Sequence, residues 1–353
     1  MSKDNKKIKI LIIRLSALGD IVHSFHALKY LNEKLEESPL WDKFEIDFLI
    51  YKSFKDLLFD LAFINKIHIL ENKKLSTLLK MTRGLSKENY DYIIDFQGLI
   101  KTSLIGFLTK GKSIGFAKPR EWLAGWLYKY KLKKYSIMQK GKHVVEHNLK
   151  LAHFALCQIL KEEGVEAIPE FIQKKNTRIY KLNIVRKIVL IPCTTWESKF
   201  WDRKYWIELI EKLQLRFPSA KIYMTGVLKE KAYLEAIRYE LPRDVYEQTE
   251  LILDKSLIGL KQFFLDAELI LGVDTGPLHL AADALYNSDN AHIIGIYGPT
   301  SASRSGPYSF HALSFDELFN KKASHKRTLK KDKGSINHIS VEDVFDKVLS
   351  LTT

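Results

Sequence analysis

Late in the chain, Gly272-Val273-Asp274-Thr275-Gly276-Pro277-Leu278-His279 sets a carboxylate and an imidazole among glycines. This run follows the apolar Leu265 to Leu271 and precedes the helix-like Leu280-Ala281-Ala282-Asp283-Ala284-Leu285. A strand that turns sharply into a helix leaves the first backbone N–H groups of that helix unpaired. With the helix dipole they make an anion site suited to a phosphate. Pro277 fits the first helical turn, where its missing N–H costs little. Asp274 and His279 exceed what a turn requires and would hold a polar ligand beside the anion.

Three other stretches carry groups with chemical use. Ser16-Ala17-Leu18-Gly19-Asp20 is a second glycine-punctuated turn, with Asp20 at a helix start. Asp20 reads either as a helix cap or as a carboxylate that takes a proton from a bound hydroxyl, with His23 one turn further on to tune it. Ile191 to Trp201 offers the hydroxyls of Thr194 and Thr195 and the ammonium of Lys199, the partners that phosphate oxygens favour. As a plain surface loop it would instead be anchored by Trp201 and Trp206. Asp95-Phe96-Gln97-Gly98 with Lys101, and Gly115 to Glu121 with Lys118 and Arg120, put polar and basic groups after strands. Lys118 and Arg120 suit a carboxylate or phosphate, or are solvated surface charges.

These groups need elements to carry them. Lys9 to Arg14, Glu45 to Ile50, Lys66 to Leu70 and Tyr92 to Asp95 read as strands. Ile21 to Leu35 reads as a helix with Ile21, Phe25, Leu28 and Leu31 on one face, and a further helix follows Gly98. After the polar Lys174-Lys175-Asn176 the theme repeats. Strands are expected at Lys187 to Ile191, Lys221 to Thr225, Glu268 to Gly272 and His292 to Tyr297, and helices at Tyr205 to Leu215 and Val341 to Leu351. Such alternation implies α/β domains with mostly parallel, doubly wound sheets, spanning 1–175 and 176–353. Ligands bind at the carboxyl ends of such sheets, so both glycine turns are expected to open on a shared crevice. The final helix is free to pack on either domain.

Length supports two domains, since 353 residues exceed the roughly 250–300 at which single cores stop growing. With 46% hydrophobic and 28% charged residues the composition is that of a globular protein. The two cysteines, Cys157 and Cys193, make no disulfide framework, and no Cys/His spacing marks a metal site. Ile8 to Ile13 is too short for a signal segment, and no apolar run reaches the ~18–20 residues of a membrane span, so a cytosolic location is expected.

The net charge of +14 admits nucleic acid, an anionic membrane or an acidic substrate. It is densest at Lys129 to Tyr135, preceded by Trp122, Trp126 and Tyr128, and at Lys321 to Lys333. The chain has no Gly-x-Gly dinucleotide fingerprint and no Asp-x-Asp pair for a divalent metal, and no Gly-Lys-Ser/Thr phosphate loop is read in it. No nucleic-acid motif supports a nucleic-acid partner.

Four segments, taken in order, resemble the lipopolysaccharide heptosyltransferases of glycosyltransferase family 9. They are Ile10 to His23, Asp95 to Lys101, Gly272 to His279, and Gly295-Ile296-Tyr297-Gly298-Pro299-Thr300. Arg120-Glu121-Trp122-Leu123-Ala124 and His143-Val144-Val145-Glu146 favour the type I branch over type II. The resemblance implies a GT-B fold, two Rossmann-like domains facing a central cleft. It also implies inverting transfer of L-glycero-D-manno-heptose from ADP-heptose to a Kdo residue of Kdo-lipid A; no cofactor is expected, and the missing Asp-x-Asp pair points to handling of the diphosphate without a metal. By position Asp20 matches the catalytic base. Thr194, Thr195, Lys199, Glu230, Asp274, Thr275, Gly276 and His279 fall on the donor side, Glu230 near the ribose. Gly19, Gln97, Lys101, Lys118 and Arg120 fall on the acceptor side. Trp122 to Tyr135 would then meet the anionic cytosolic face of the inner membrane. Other core heptosyltransferases, a sugar-nucleotide epimerase of similar two-domain build and a nucleic-acid-binding protein are the competing expectations.

Overall fold

The computed structural model describes residues 6–136, 142–166, 170–171, 180–318 and 336–353. Two compact units divide the chain, Met1–Gln173 and Lys174–Thr353. The linker expected at 174–176 and the basic cluster at 321–333 lie outside the described residues.

In the first unit the order is β1 (Ile8–Ile13), α1 (Leu18–Glu36), β2 (Phe44–Tyr51), β3 (Ile64–Leu70), α2 (Leu75–Leu85), β4 (Tyr92–Asp95), α3 (Ile100–Leu108), β5 (Lys112–Lys118), β6 (Tyr130–Ser136) and α4 (Val144–Glu162). Its six strands are all parallel, in the order β3-β2-β1-β4-β5-β6. β1 is a run of isoleucine and leucine because helices cover both of its faces, the usual signature of a parallel strand. One face holds Leu11, Ile13, Leu49, Ile93 and Ile105 in a core cluster. Elsewhere α1 packs along α4.

The second unit runs β7 (Lys187–Ile191), α5 (Arg203–Arg216), β8 (Lys221–Gly226), α6 (Lys231–Tyr239), α7 (Arg243–Gln248), β9 (Thr249–Leu253), α8 (Leu257–Phe264), β10 (Leu269–Val273), α9 (Gly276–Ala284), β11 (His292–Tyr297), α10 (Ala302–Ser305), β12 (His311–Ser314), α11 (Phe315–Leu318) and α12 (Val341–Leu351). Its sheet is again parallel, ordered β12-β11-β10-β7-β8-β9. The final helix, α12, stays with its own unit. Val341, Val344, Val348 and Leu351 join the cluster that contains Trp206, Leu209, Ile210 and Leu213 of α5.

Strand order tells where each unit binds. In the first, the winding reverses between β1 and β4; in the second, between β7 and β10. Crevices open at the carboxyl ends of such strand pairs, and the turns singled out in the sequence follow these four strands.

Close packing of β10 on β7 depends on Gly272. A Cβ there would meet Ile191 Cβ at 2.8 Å and Ile191 O at 3.2 Å. Gly272→Ala is expected to cost about 1–3 kcal/mol, the usual penalty for overpacking a core. An unchanged urea midpoint would show that the strands separate freely.

Candidate functional site

At the switch point of the first unit, Asp20 lies in the first turn of α1, but it is not the cap: that position is Ala17. Its carboxylate instead joins two arginines. Arg14, the fully buried residue that follows β1, places Nη2 3.2 Å from Asp20 Oδ1. Arg120 donates from Nη2 to Asp20 Oδ2 at 2.7 Å. Burial alone would lift the Asp20 carboxyl, but Arg14 and Arg120 together outweigh it and hold it below its ordinary value. Burial lowers the Arg14 guanidinium to about 10, so it stays charged at neutral pH.

The Asp95-Phe96-Gln97-Gly98 turn explains how both arginines reach one carboxylate. Asp95 is buried and accepts from the N–H groups of Gln97 (2.8 Å) and Gly98 (3.2 Å) and from Tyr128 OH (2.7 Å). Gln97, expected on the acceptor side, is buried, and its Oε1 accepts from Leu15 N and Ser16 N at 3.0 and 3.1 Å. That oxygen braces the turn carrying Asp20. Phe96 O accepts from Arg14. Gly98 has a positive φ of 67°, and a Cβ there would sit 3.1 Å from Pro119 and 3.3 Å from Arg120 N. Only glycine lets the Pro119–Arg120 segment approach so closely.

Among the other residues expected on the acceptor side, Gly19 lies beside Asp20 in the first turn of α1. Lys101 donates to Tyr51 OH at 3.1 Å, and Lys118 ends β5 with its side chain exposed. His23 is buried and meets the His143 ring edge-on at 5.5 Å.

The second unit builds its site around Asp274, which is 7% exposed. Asp274 Oδ2 accepts from Lys199 Nζ and from Thr300 Oγ1, both at 2.5 Å, and Oδ1 lies 3.7 Å from His279 Nε2. Burial pushes the Asp274 carboxyl up. His279 and Lys199 reverse that and hold it far below the ordinary range. Lys199 also lies over the Trp196 ring, 4.9 Å from its centre. Thr194 Oγ1 donates to Asp274 O at 3.3 Å, whereas Thr195 is exposed.

Thr275 is the N-cap of α9, Gly276 and Pro277 open the helix, and Leu278 N already bonds Thr275 O at 3.2 Å. The amides of Thr275 and Gly276 therefore remain as the donors that helix geometry leaves for an anion. Glu230 turns back on its own segment, with Oε2 accepting from Val227 N at 2.9 Å. Cys193 is buried beside this loop, and burial pushes its thiol up to about 12, so it is protonated and unreactive at neutral pH.

Sequence reasoning missed Arg14 and Thr300. The signal for Arg14 is a single charge closing an apolar strand; Thr300 ends the Gly295 to Thr300 segment, where nothing in the sequence gives it a chemical role. It also passed over a phosphate-loop string, Gly106 to Ser113, which spells Gly-x-x-x-x-Gly-Lys-Ser. That string runs from helix α3 into strand β5, the reverse of the strand-to-helix order that aims amides at phosphate.

The chain is similar to several known proteins over most of its length. A sequence model of glycosyltransferase family 9 (heptosyltransferase) matches residues 78–333. A lipopolysaccharide heptosyltransferase 1 from Campylobacter coli is 28% identical, covering 98% of this chain and 99% of the relative. The solved structure of E. coli heptosyltransferase WaaC with ADP superposes with a TM-score of 0.71 at 20% identity, covering 98% of this chain and all of that one. E. coli ADP-heptose lps heptosyltransferase II gives 0.69 at 17% identity, with 98% of each chain covered. Both structures share the fold seen here, α/β units with parallel six-stranded sheets of the GT-B type.

Proposed function

Because this chain belongs to glycosyltransferase family 9, the heptosyltransferases, we propose that it moves L-glycero-D-manno-heptose from ADP-heptose to a Kdo hydroxyl of Kdo-lipid A, with inversion. The observation that carries the reading is the Asp20 carboxylate held between Arg14 and Arg120 at a sheet switch point. A family glycosyltransferase needs a base for the acceptor hydroxyl, and Asp20 is a carboxylate that its two arginines hold ionised. The choice of type I rests on the Campylobacter relative, since the two solved structures share one fold.

In this reading the acceptor oxygen attacks the anomeric carbon opposite the ADP. The new C–O bond forms as the bond to phosphate breaks, the hydroxyl proton passes to Asp20, and ADP leaves with the electron pair. The amides of Thr275 and Gly276, with Lys199, meet the charge that develops on the diphosphate. Arg120 has a double part. Bonded to Asp20 it depresses the carboxylate's basicity; drawn toward a Kdo carboxylate it releases Asp20 to act as base. Asp274 holds Lys199 in place for the donor. Glu230 faces the ribose once released from Val227.

The chain acts at the cytosolic face of an anionic membrane, where its acceptor resides. No helix among the described residues is long and apolar enough to cross a membrane.

Mass spectrometry of the product from ADP-heptose and Kdo-lipid A tests the reading. One heptose is expected on the unheptosylated acceptor. Extension of a heptosylated acceptor alone would move the chain to type II, and turnover of donor without acceptor would make it an epimerase.

A further inference from the structure

One face of the first unit is covered by apolar side chains that the fold does not use. Helix α3 turns Thr102, Ser103, Ile105 and Gly106 inward. Its outward face presents Ile100, Leu104, Phe107 and Leu108, spaced i, i+4, i+7 and i+8, so that they share one side of the helix. Against this helix packs the 3-10 turn Trp122–Leu127, whose Trp122 and Trp126 are 69% and 75% exposed. Isolated exposed apolar residues are ordinary; an apolar helix face packed beside a turn with two exposed tryptophans marks a binding surface.

Charge says what kind of surface it meets. From Ile100 to Lys133 the chain carries seven lysines and one arginine against a single acid, Glu121. Glu121 is spent on the fold, accepting from Ile100 N at 2.6 Å to close the start of α3. Lys131 reaches the carbonyl of Trp126 at 3.5 Å, Lys129 stands over the Tyr130 ring, and Lys133 is exposed. Lys110 stands exposed just beyond the end of α3. Apolar side chains, tryptophans and a lysine rim are the composition that lies in the headgroup region of an anionic bilayer. A protein partner of ordinary interface chemistry would find lysine depleted, not concentrated, around the apolar centre.

We propose that α3 and the Trp122–Leu127 turn form a membrane-docking face for anionic phospholipid, with Leu104, Phe107, Leu108 and Trp126 entering the interface and Lys129, Lys131 and Lys133 holding the headgroups. Arg120 lies two residues before this turn and reaches Asp20, so docking here brings the base close to a hydroxyl presented at the lipid surface. This last step rests on the proposed transfer reaction; the docking itself does not.

The test uses the full chain with vesicles of phosphatidylethanolamine and phosphatidylglycerol, and with vesicles of phosphatidylcholine alone. The chain should float with the anionic vesicles, be released by salt, and bind the neutral ones weakly. Combining Leu104→Gln, Phe107→Gln and Leu108→Gln should weaken binding on the order of 10²-fold, from the apolar burial removed, with an unchanged thermal melt. The same variant should transfer heptose normally to a deacylated, water-soluble acceptor and slowly to one embedded in vesicles.

Flotation of this variant equal to that of the parent, or failure of the parent to float with anionic vesicles, would overturn the proposal. So would a parent dimer in sedimentation that the variant converts to monomer, because the face would then be a contact between copies. If the parent transfers heptose to neither acceptor, the reaction is wrong, and flotation still decides the face.

Discussion

Asp20→Asn should lower kcat by about 10²–10⁴-fold, the range a positioned general base supplies, while ADP binding stays unchanged. The two effects separate because Asp20 belongs to the first unit, whereas the proposed anion site at Thr275 and Gly276 belongs to the second. Stability should fall as well, by about 1–3 kcal/mol, since the buried Arg14 loses its charged partner. The pH profile adds a stricter check. Asp20 has its carboxyl lowered by Arg14 and Arg120 against the opposing effect of burial. A depressed carboxylate contributes stability above its unfolded pKa, about 3.9, and loses it as pH falls through the lower folded value. By the same sign, kcat/KM should show no acid limb from Asp20 above about pH 5, because that ratio reports the free enzyme. A limb near neutrality in kcat/KM, or near-normal turnover by Asp20→Asn, would remove Asp20 from the role of base.

Much of the scaffold was legible because its strands obey one simple rule. Tyr92–Asp95, Lys187–Ile191 and His292–Tyr297 begin and end where the sequence places them, each a short apolar run bounded by turn residues. β5 and β6 were not legible. In β6 lysines interrupt the apolar period, and as the edge strand of its sheet it has no second neighbour to demand apolar residues; lysine is the common guard of such an edge. The sequence therefore shows only a basic cluster there. Helix α4 went unread because its start, His143 to Glu146, drew attention as a motif and not as a cap, although His143 Nδ1 accepts from Val145 N at 3.2 Å.

Turn position singled out Asp20, Lys199 and Asp274, since each follows a strand, but only Asp274 exceeds what its turn requires; Asp20 reads equally as a helix cap and Lys199 as part of a surface loop. Their partners were hidden, because pairing is a property of the folded chain. Arg120 and Asp20 are 100 positions apart, and Thr300 stands 26 beyond Asp274. The structure also gives Gln97 a plainer duty than the sequence did: an amide oxygen within hydrogen-bonding reach of Leu15 and Ser16 is a brace for the turn that carries Asp20.

Lys199→Ala should weaken ADP binding about 10–100-fold, the loss expected for one charge-assisted contact, and Asp274→Ala should weaken it by a similar factor through the same lysine. Asp274 holds Lys199 at 2.5 Å in the second unit, and both side chains are largely buried, at 15% and 9% exposure. A mobile ammonium would have to be ordered when the diphosphate arrives; one already fixed meets it without that entropy cost. The pair therefore acts as one device, and the double variant should lose little more than the worse single variant. Stability should respond differently. Asp274→Ala strands a largely buried ammonium and should cost about 3–5 kcal/mol, the penalty for breaking a buried pair from one side. The double variant should recover part of that loss. Calorimetric titration of ADP into the three variants, with urea unfolding of each, reads both quantities. Additive losses in affinity would mean that Asp274 and Lys199 contact the donor independently. Full affinity in Lys199→Ala would leave Thr275 and Gly276 as the whole of the diphosphate site.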